Sequence, residues 1–210
     1  MRIIPKIEIK NSNLVKGIGF EGLRVLGNPD YFINKYNNSF ADEIFIIDVT
    51  ASLYGLKHDF SILEKFCSKT TIPINVSGGL RNIDDIYKAF GSGADKVSLN
   101  TTLYEDIKII ETVSKNYGSQ AINANLEVIQ NKENSKLNLF CEFGKEPKKE
   151  DFDDFIKKLI DAGIGEIIVS SVLNDGTLKG ADYKLLERIS KISEVPILYS
   201  GGIKSLDEIK

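Results

Sequence analysis

The stretch Ile72-Pro73-Ile74-Asn75-Val76-Ser77-Gly78-Gly79 returns as Val195-Pro196-Ile197-Leu198-Tyr199-Ser200-Gly201-Gly202, at an offset of 123 residues. Each copy is a short apolar run ending in Ser-Gly-Gly, which reads as a buried strand feeding a loop. The echo continues past the glycines, where Ile83-Asp84-Asp85-Ile86 matches Leu206-Asp207-Glu208-Ile209 as the start of a helix. At the same offset Glu43-Ile44 meets Glu166-Ile167, and Ser52 meets Asp175. Slightly out of phase, Ile7-Glu8-Ile9 resembles Leu126-Glu127-Val128. Matches over several strands at one offset indicate an internal repeat.

Working outward, β-branched runs at 2–10, 43–50, 73–76, 96–100, 121–128, 166–171 and 196–200 alternate with helical patterns. The helices are expected near 29–38, 60–69, 83–92, 104–117, 149–162 and 182–192. Such alternation means parallel strands joined by crossover helices. With the repeat, it predicts an α/β fold: a (β/α)8 TIM barrel of two (β/α)4 halves, about 1–118 and 119–210, in one domain. The polar, lysine-rich segment 131–148 reads as a hairpin or loop after the fifth strand. The second half reaches Lys210 inside the helix equivalent to 83–92, so the expectation is a barrel cut before its eighth strand, with a truncated gene as the simplest reading.

The chain has 210 residues, 42% apolar and 27% charged, with a net charge of −3. That suits a globular core and argues against a nucleic-acid surface, which is normally basic. Cys67 and Cys141 lie far apart without CxxC spacing, so no disulfide framework and a reducing compartment are expected. The single histidine, His58, falls in a polar stretch and reads as a surface loop residue. One His and two Cys leave no transition-metal site, and no cofactor is expected. No apolar run approaches the ~18 residues of a membrane span, and 1–5 has no signal-peptide core. A cytoplasmic protein is the reading.

In such barrels the working groups sit at the C-terminal ends of strands and in the loops that follow. Gly78-Gly79 and Ser200-Gly201-Gly202 occupy that place, and glycines there let a backbone approach an anion while the next helix offers its N-terminal amides. Asn100-Thr101 and Asp175-Gly176-Thr177 stand at other strand ends. Two phosphate sites related by the repeat imply a substrate with a phosphate at each end. Glu8 and Glu127 fall late in corresponding strands, where opposed carboxylates can act as general acid and base, or can simply be solvated or lysine-paired. Asp48 closes another strand and is a further candidate. Arg2, Glu43, Lys96 and Glu166 start strands, where charges ordinarily form a structural salt-bridge ring.

Together these residues resemble the cyclase subunit of imidazole glycerol phosphate synthase over essentially the whole chain. The resemblance runs through 2–4, 14–17, 48–52, 93–101, 118–121, 175–177 and 200–202. It implies a heterodimer with a glutaminase, whose ammonia crosses the barrel and attacks a bis-phosphorylated ribulosyl aminoimidazole carboxamide. The products implied are imidazole glycerol phosphate and aminoimidazole carboxamide ribotide, within histidine biosynthesis. It makes Arg2, Glu43, Lys96 and Glu166 the ammonia gate, and places the family's loop lysine on Lys16. The gate set speaks against the sister isomerase barrel, which uses no ammonia.

Departures cluster around the substrate. The family's catalytic aspartates fall on Glu8 and Glu127, whose extra methylene moves the charge by ~1.5 Å, and ~1 Å can cost ~100-fold in rate. Ser77 replaces a glycine, and the Ser-Gly-Lys and Thr-Gly pattern becomes Phe143-Gly144-Lys145 and Pro147-Lys148-Lys149. Two alternatives follow: an ammonia-transfer paralogue that builds an amidino group on a bacterial surface sugar, and an inactive barrel that activates a glutaminase.

Overall fold

The computed structural model describes residues 1–51, 54–131 and 136–209. Ser52 and the tip of the expected hairpin, 132–135, lie outside the described residues. In chain order the elements begin with β1 (Lys6–Lys10), β2 (Asn13–Ile18), β3 (Glu21–Gly27), α1 (Pro29–Asn37), β4 (Ile44–Asp48) and α2 (Phe60–Cys67). They continue with β5 (Ile74–Ser77), α3 (Ile83–Gly91), β6 (Lys96–Leu99), α4 (Thr101–Glu105) and α5 (Ile109–Tyr117). The remainder are β7 (Ile122–Gln130), β8 (Leu137–Cys141), β9 (Glu146–Pro147), α6 (Phe152–Asp161), β10 (Glu166–Ser171), α7 (Tyr183–Ile192) and β11 (Ile197–Ser200).

Local chemistry explains most boundaries. The side chains of Asn28, Asp59, Asn82, Asp151 and Asp182 accept first-turn amides and start α1, α2, α3, α6 and α7. The single helix expected over 104–117 is two: α4 ends at Glu105, and Asp106 accepts from the Lys108 amide at 3.1 Å before α5 begins. That local Asp-to-backbone bond competes with helix continuation. A second difference is the antiparallel pair β2–β3, which sequence periodicity did not reveal. Its glycines and register shifts blur the period-2 signal.

Among the described residues, β1, β4, β5, β6, β7, β10 and β11 are neighbours in chain order, all parallel. This is the curled sheet of a TIM barrel, with helices outside. Two antiparallel excursions leave it, β2–β3 after β1 and β8–β9 after β7, the latter where 131–148 was expected to fold back. No described helix is long and apolar enough to cross a membrane.

The two faces of this sheet differ. Outward side chains such as Ile7, Ile44, Ile74, Val97, Ile122 and Ile167 pack with Leu63, Ile86, Val113, Ile156 and Ile189 of the helices in one large apolar core. The inward face holds a much smaller apolar cluster, Val15, Phe45, Ile47, Val49 and Ile168. Most other inward groups are polar and buried: Glu8, Asn75, Ser98, Asn123, Asn125, Glu127 and Ser170. Barrel interiors are ordinarily packed with Val, Ile and Leu. Here the strands Ile-Asn-Val-Ser and Ile-Asn-Ala-Asn-Leu-Glu-Val alternate apolar-out with polar-in, giving a polar lumen.

Candidate functional site

At the strand N-terminal end, Arg2, Glu43, Lys96 and Glu166 come together in a closed ring. Lys96 Nζ lies 2.8 Å from Glu43 and 2.9 Å from Glu166, and Arg2 lies 2.5 Å from Glu166 and 3.8 Å from Glu43. Arg2 sits ahead of β1, so it reaches the ring from the leading segment. Above the ring, Asn75 donates to Glu43 at 3.0 Å and accepts from Ser98 at 2.8 Å. The ring is thus continuous with the polar lumen.

At the other end lies a compact ionic cluster. Glu8, buried on β1, has one oxygen 3.0 Å from Lys6 Nζ and 2.9 Å from Lys16 Nζ. The same two lysines hold Asp175, at 2.8 and 2.5 Å. Burial alone would raise the Asp175 carboxyl, but the two ammonium groups outweigh it and hold the carboxyl below the usual range. Burial pulls Lys6 down, yet Glu8 and Asp175 together hold it above the ordinary lysine value. The second Glu8 oxygen is buried with no hydrogen-bond partner.

Glu127 has a different setting. It receives the Gly144 amide at 2.7 Å and forms no ion pair among the described residues. Burial pushes its carboxyl up to about 7, against the pull of the Gly144 amide. A buried carboxyl at that value exists in both forms near neutrality, as proton transfer requires. Gly144 belongs to the turn between β8 and β9, whose Phe143 stacks on Phe20 of the β2–β3 turn, with centroids 4.3 Å apart. Lys145 also pairs with Glu21 at 2.7 Å. The two excursions therefore clasp over the barrel mouth.

Two cavities flank this clasp. One, of about 150 Å³, is lined by Asp48, Gly78, Gly79, Asn100, Thr101 and Glu127, with Arg81 at its edge. The other, of about 430 Å³, is lined by Lys6, Lys16, Asp175, Gly176, Ser200, Gly201 and Gly202, and reaches Glu43 and Asn75. The expected substrate-site residues thus divide between two cavities, though Glu127 of the second half lines the first and Lys16 of the first half lines the second, and two residues line neither. Thr177 lines neither cavity, because its hydroxyl is committed to the Asn174 carbonyl at 2.7 Å. Glu8 lies behind Lys6 and Lys16 rather than on a cavity wall.

The Gly-Gly turns have structural reasons as well. A Cβ on Gly78, whose φ is +89°, would sit 2.2 Å from the Asp48 carbonyl oxygen, and one on Gly176 would sit 2.2 Å from that of Gly17. Of the amides after Gly79, that of Asp85 in the first turn of α3 is taken by the Asn82 side chain, and that of Arg81 by the Asp85 carboxylate. Asp48 likewise accepts from the amides of Thr50 and Ala51, holding its own loop. Asn100 contributes a buried side-chain amide that no normal hydrogen bond satisfies.

His58 is not the surface residue its polar neighbours suggested. It is buried, and its Nδ1 donates to the Gly78 carbonyl at 2.9 Å, fixing the turn; burial lowers its pKa. The surrounding composition predicted exposure, but the loop folds back onto the barrel end. Sequence reasoning also missed Lys6 and Arg81. Lys6 was detectable in principle, standing two residues before Glu8 and so on the same strand face.

Comparison with known proteins agrees with this geometry. The histidine biosynthesis protein family matches residues 2–210. The chain belongs to that family. It is 36% identical over 208 residues to "Imidazole glycerol phosphate synthase subunit HisF" of Bacillus cereus (strain G9842), covering 99% of this chain and 82% of the relative. The protein of the same name from Legionella pneumophila is 34% identical over 208 residues, with 99% of this chain and 98% of the relative covered. That from Bacillus cereus (strain Q1) is 37% identical over 208 residues, again covering 99% and 82%. The HisF-like resemblance carried by the quoted motifs is thus found across the whole chain, and it supports a cyclase-type enzyme.

Proposed function

We propose that this HisF-like chain is the cyclase subunit of an imidazole glycerol phosphate synthase, working as a heterodimer with a glutaminase docked at the ring of Arg2, Glu43, Lys96 and Glu166. The observation that carries the reading is the polar lumen, which joins that ring to two buried carboxylates at the opposite mouth. Its unsatisfied buried groups, the Asn123 side-chain amide and one Glu8 oxygen, suit a small polar guest in transit. The bis-phosphorylated substrate would place one phosphate in each cavity, near Gly79 and Asn100 and near Gly176 and Gly202.

The two carboxylates divide the proton work. Ammonia attacks the substrate carbonyl carbon as Glu127 gives a proton to the carbonyl oxygen, whose hydroxyl later leaves as water when the proton taken from nitrogen is passed on to it. Glu8 then takes a proton from the attacking nitrogen, while Lys6 and Lys16 offset its charge. Ring closure and cleavage would follow, giving imidazole glycerol phosphate and aminoimidazole carboxamide ribotide. The sugar-amidino alternative draws on one observation, the Phe20–Phe143 stack standing over the acceptor space.

Reconstituting the full chain with a glutaminase subunit from the same organism tests both readings. Glutamine-dependent turnover of the bis-phosphorylated intermediate is expected. Stimulated glutamine hydrolysis without that turnover overturns the cyclase assignment in favour of another acceptor or none. Failure to form any complex overturns the docking at the ring.

A further inference from the structure

Lys6 points inward from β1 and is nearly enclosed, its side chain 13% exposed against 34% for Lys16. Its ammonium meets three neighbours: Glu8 at 3.0 Å, Asp175 at 2.8 Å and the Phe20 ring, 5.3 Å to the centroid. An ammonium has three donors on a compact charge, which matches three such directions. Glu8 and Asp175 come from opposite halves of the chain and are both buried, so two negative charges need two cations. Lys16 is the second cation; both lysines line the larger cavity, but Lys16 sits on the β2–β3 excursion and is more open to solvent.

We propose that Lys6 is a positioning residue: a resident counter-ion that keeps Glu8 and Asp175 in place so that Lys16 is free to turn to an incoming phosphate-bearing ligand. Without Lys6, Lys16 becomes the sole partner of two buried carboxylates and cannot leave them. Lys6 also anchors Phe20 from below, tying the ionic cluster to the clasp over the mouth. The role of Lys6 in turnover rests on the proposed function, whereas its coupling to Lys16 does not.

The test is a double-mutant cycle on the full chain, read by calorimetric titration with inorganic phosphate. Lys6→Met is expected to weaken phosphate binding about tenfold, the scale of one lost charged contact. Lys16→Met added to Lys6→Met should weaken it no further, while Lys6→Arg should restore most of the affinity. In carbonyl-labelled protein, the Asp175 carboxyl should titrate higher in Lys6→Met than in the parent. Unchanged affinity in Lys6→Met, or additive losses with Lys16→Met, overturns the proposal. If Lys6→Met does not fold, the charge-balanced pair Lys6→Met with Glu8→Gln must still bind phosphate more weakly than Glu8→Gln alone, and equal binding overturns it. Intact coupling in a protein without cyclase turnover sinks the activity reading and leaves this one standing.

Discussion

Glu8 and Glu127 occupy corresponding strand ends on β1 and β7, each inward and each buried, yet their surroundings are opposite. Glu8 shares two lysines with Asp175, whereas Glu127 has a backbone amide and no ion pair among the described residues, and burial raises its carboxyl to about 7. The difference arises from neighbours two residues or many residues away. Lys6 precedes Glu8 on its own strand, but Asn125 stands at the matching place before Glu127. The lesson is that a repeat can duplicate a position without duplicating its chemistry, because protonation follows local charge and solvent exclusion.

The largest effect that tests this contrast is on turnover. Glu8→Gln and Glu127→Gln should each cut glutamine-dependent turnover by ~100 to 10,000-fold, since Gln keeps the shape but cannot exchange the proton. Parent-like rates in either variant break the acid–base assignment. Replacing both by Asp sharpens it. The shorter reach should maintain or raise turnover of the histidine-pathway intermediate, and should lower the native activity if the acceptor is another sugar.

Next in size is a pH effect on stability expected at Glu127. The Glu127 carboxyl moves from 4.5 to about 7 on folding. Between those values the unfolded chain has released a proton that the folded chain still binds, so stability falls as pH rises through this window and then levels off. The loss is on the order of 3 kcal/mol. Denaturant unfolding at the two ends of the window should show it in the parent, and Glu127→Gln should remove it. The same slope in both proteins would mean that Glu127 is not held protonated.

The smallest expected effect concerns the clasp, which touches the Glu127 side through Gly144 and the Glu8 side through Lys6. A double-mutant cycle with Phe20→Leu and Phe143→Leu should return a coupling of about 0.5–1.5 kcal/mol. Zero coupling would make the two excursions independent and remove the physical link between the carboxylates.

Much of this was legible in advance. The parallel strands, the hairpin after the fifth of them, the rim charges and both Gly-Gly turns each leave a local trace, as runs of β-branched residues or glycines at strand ends. The polar lumen was also written in Ile74–Ser77 and Ile122–Val128, as alternation of apolar residues with Asn, Ser and Glu. It is easily overlooked where a barrel interior is assumed to be apolar. The β2–β3 pair was hidden by its glycines and register shifts, and the helix break at Asp106 by one side chain's local hydrogen bond.

The sequence by itself determined the strand order, the inward carboxylates and the family, because those depend on period, spacing and residue type. Only the tertiary structure decided that His58 is buried against Gly78, that Thr177 turns to Asn174, and that Lys6 joins Glu8 to Asp175. The physical reason is distance along the chain. Lys6 and Asp175 are 169 residues apart, and neither carries any local sign of the other. Whether a charge is paired or left to burial depends on which segments the closed sheet brings within a few ångströms. That settled the contrast between Glu8, set among lysines, and Glu127, left to solvent exclusion and hydrogen bonds from uncharged groups.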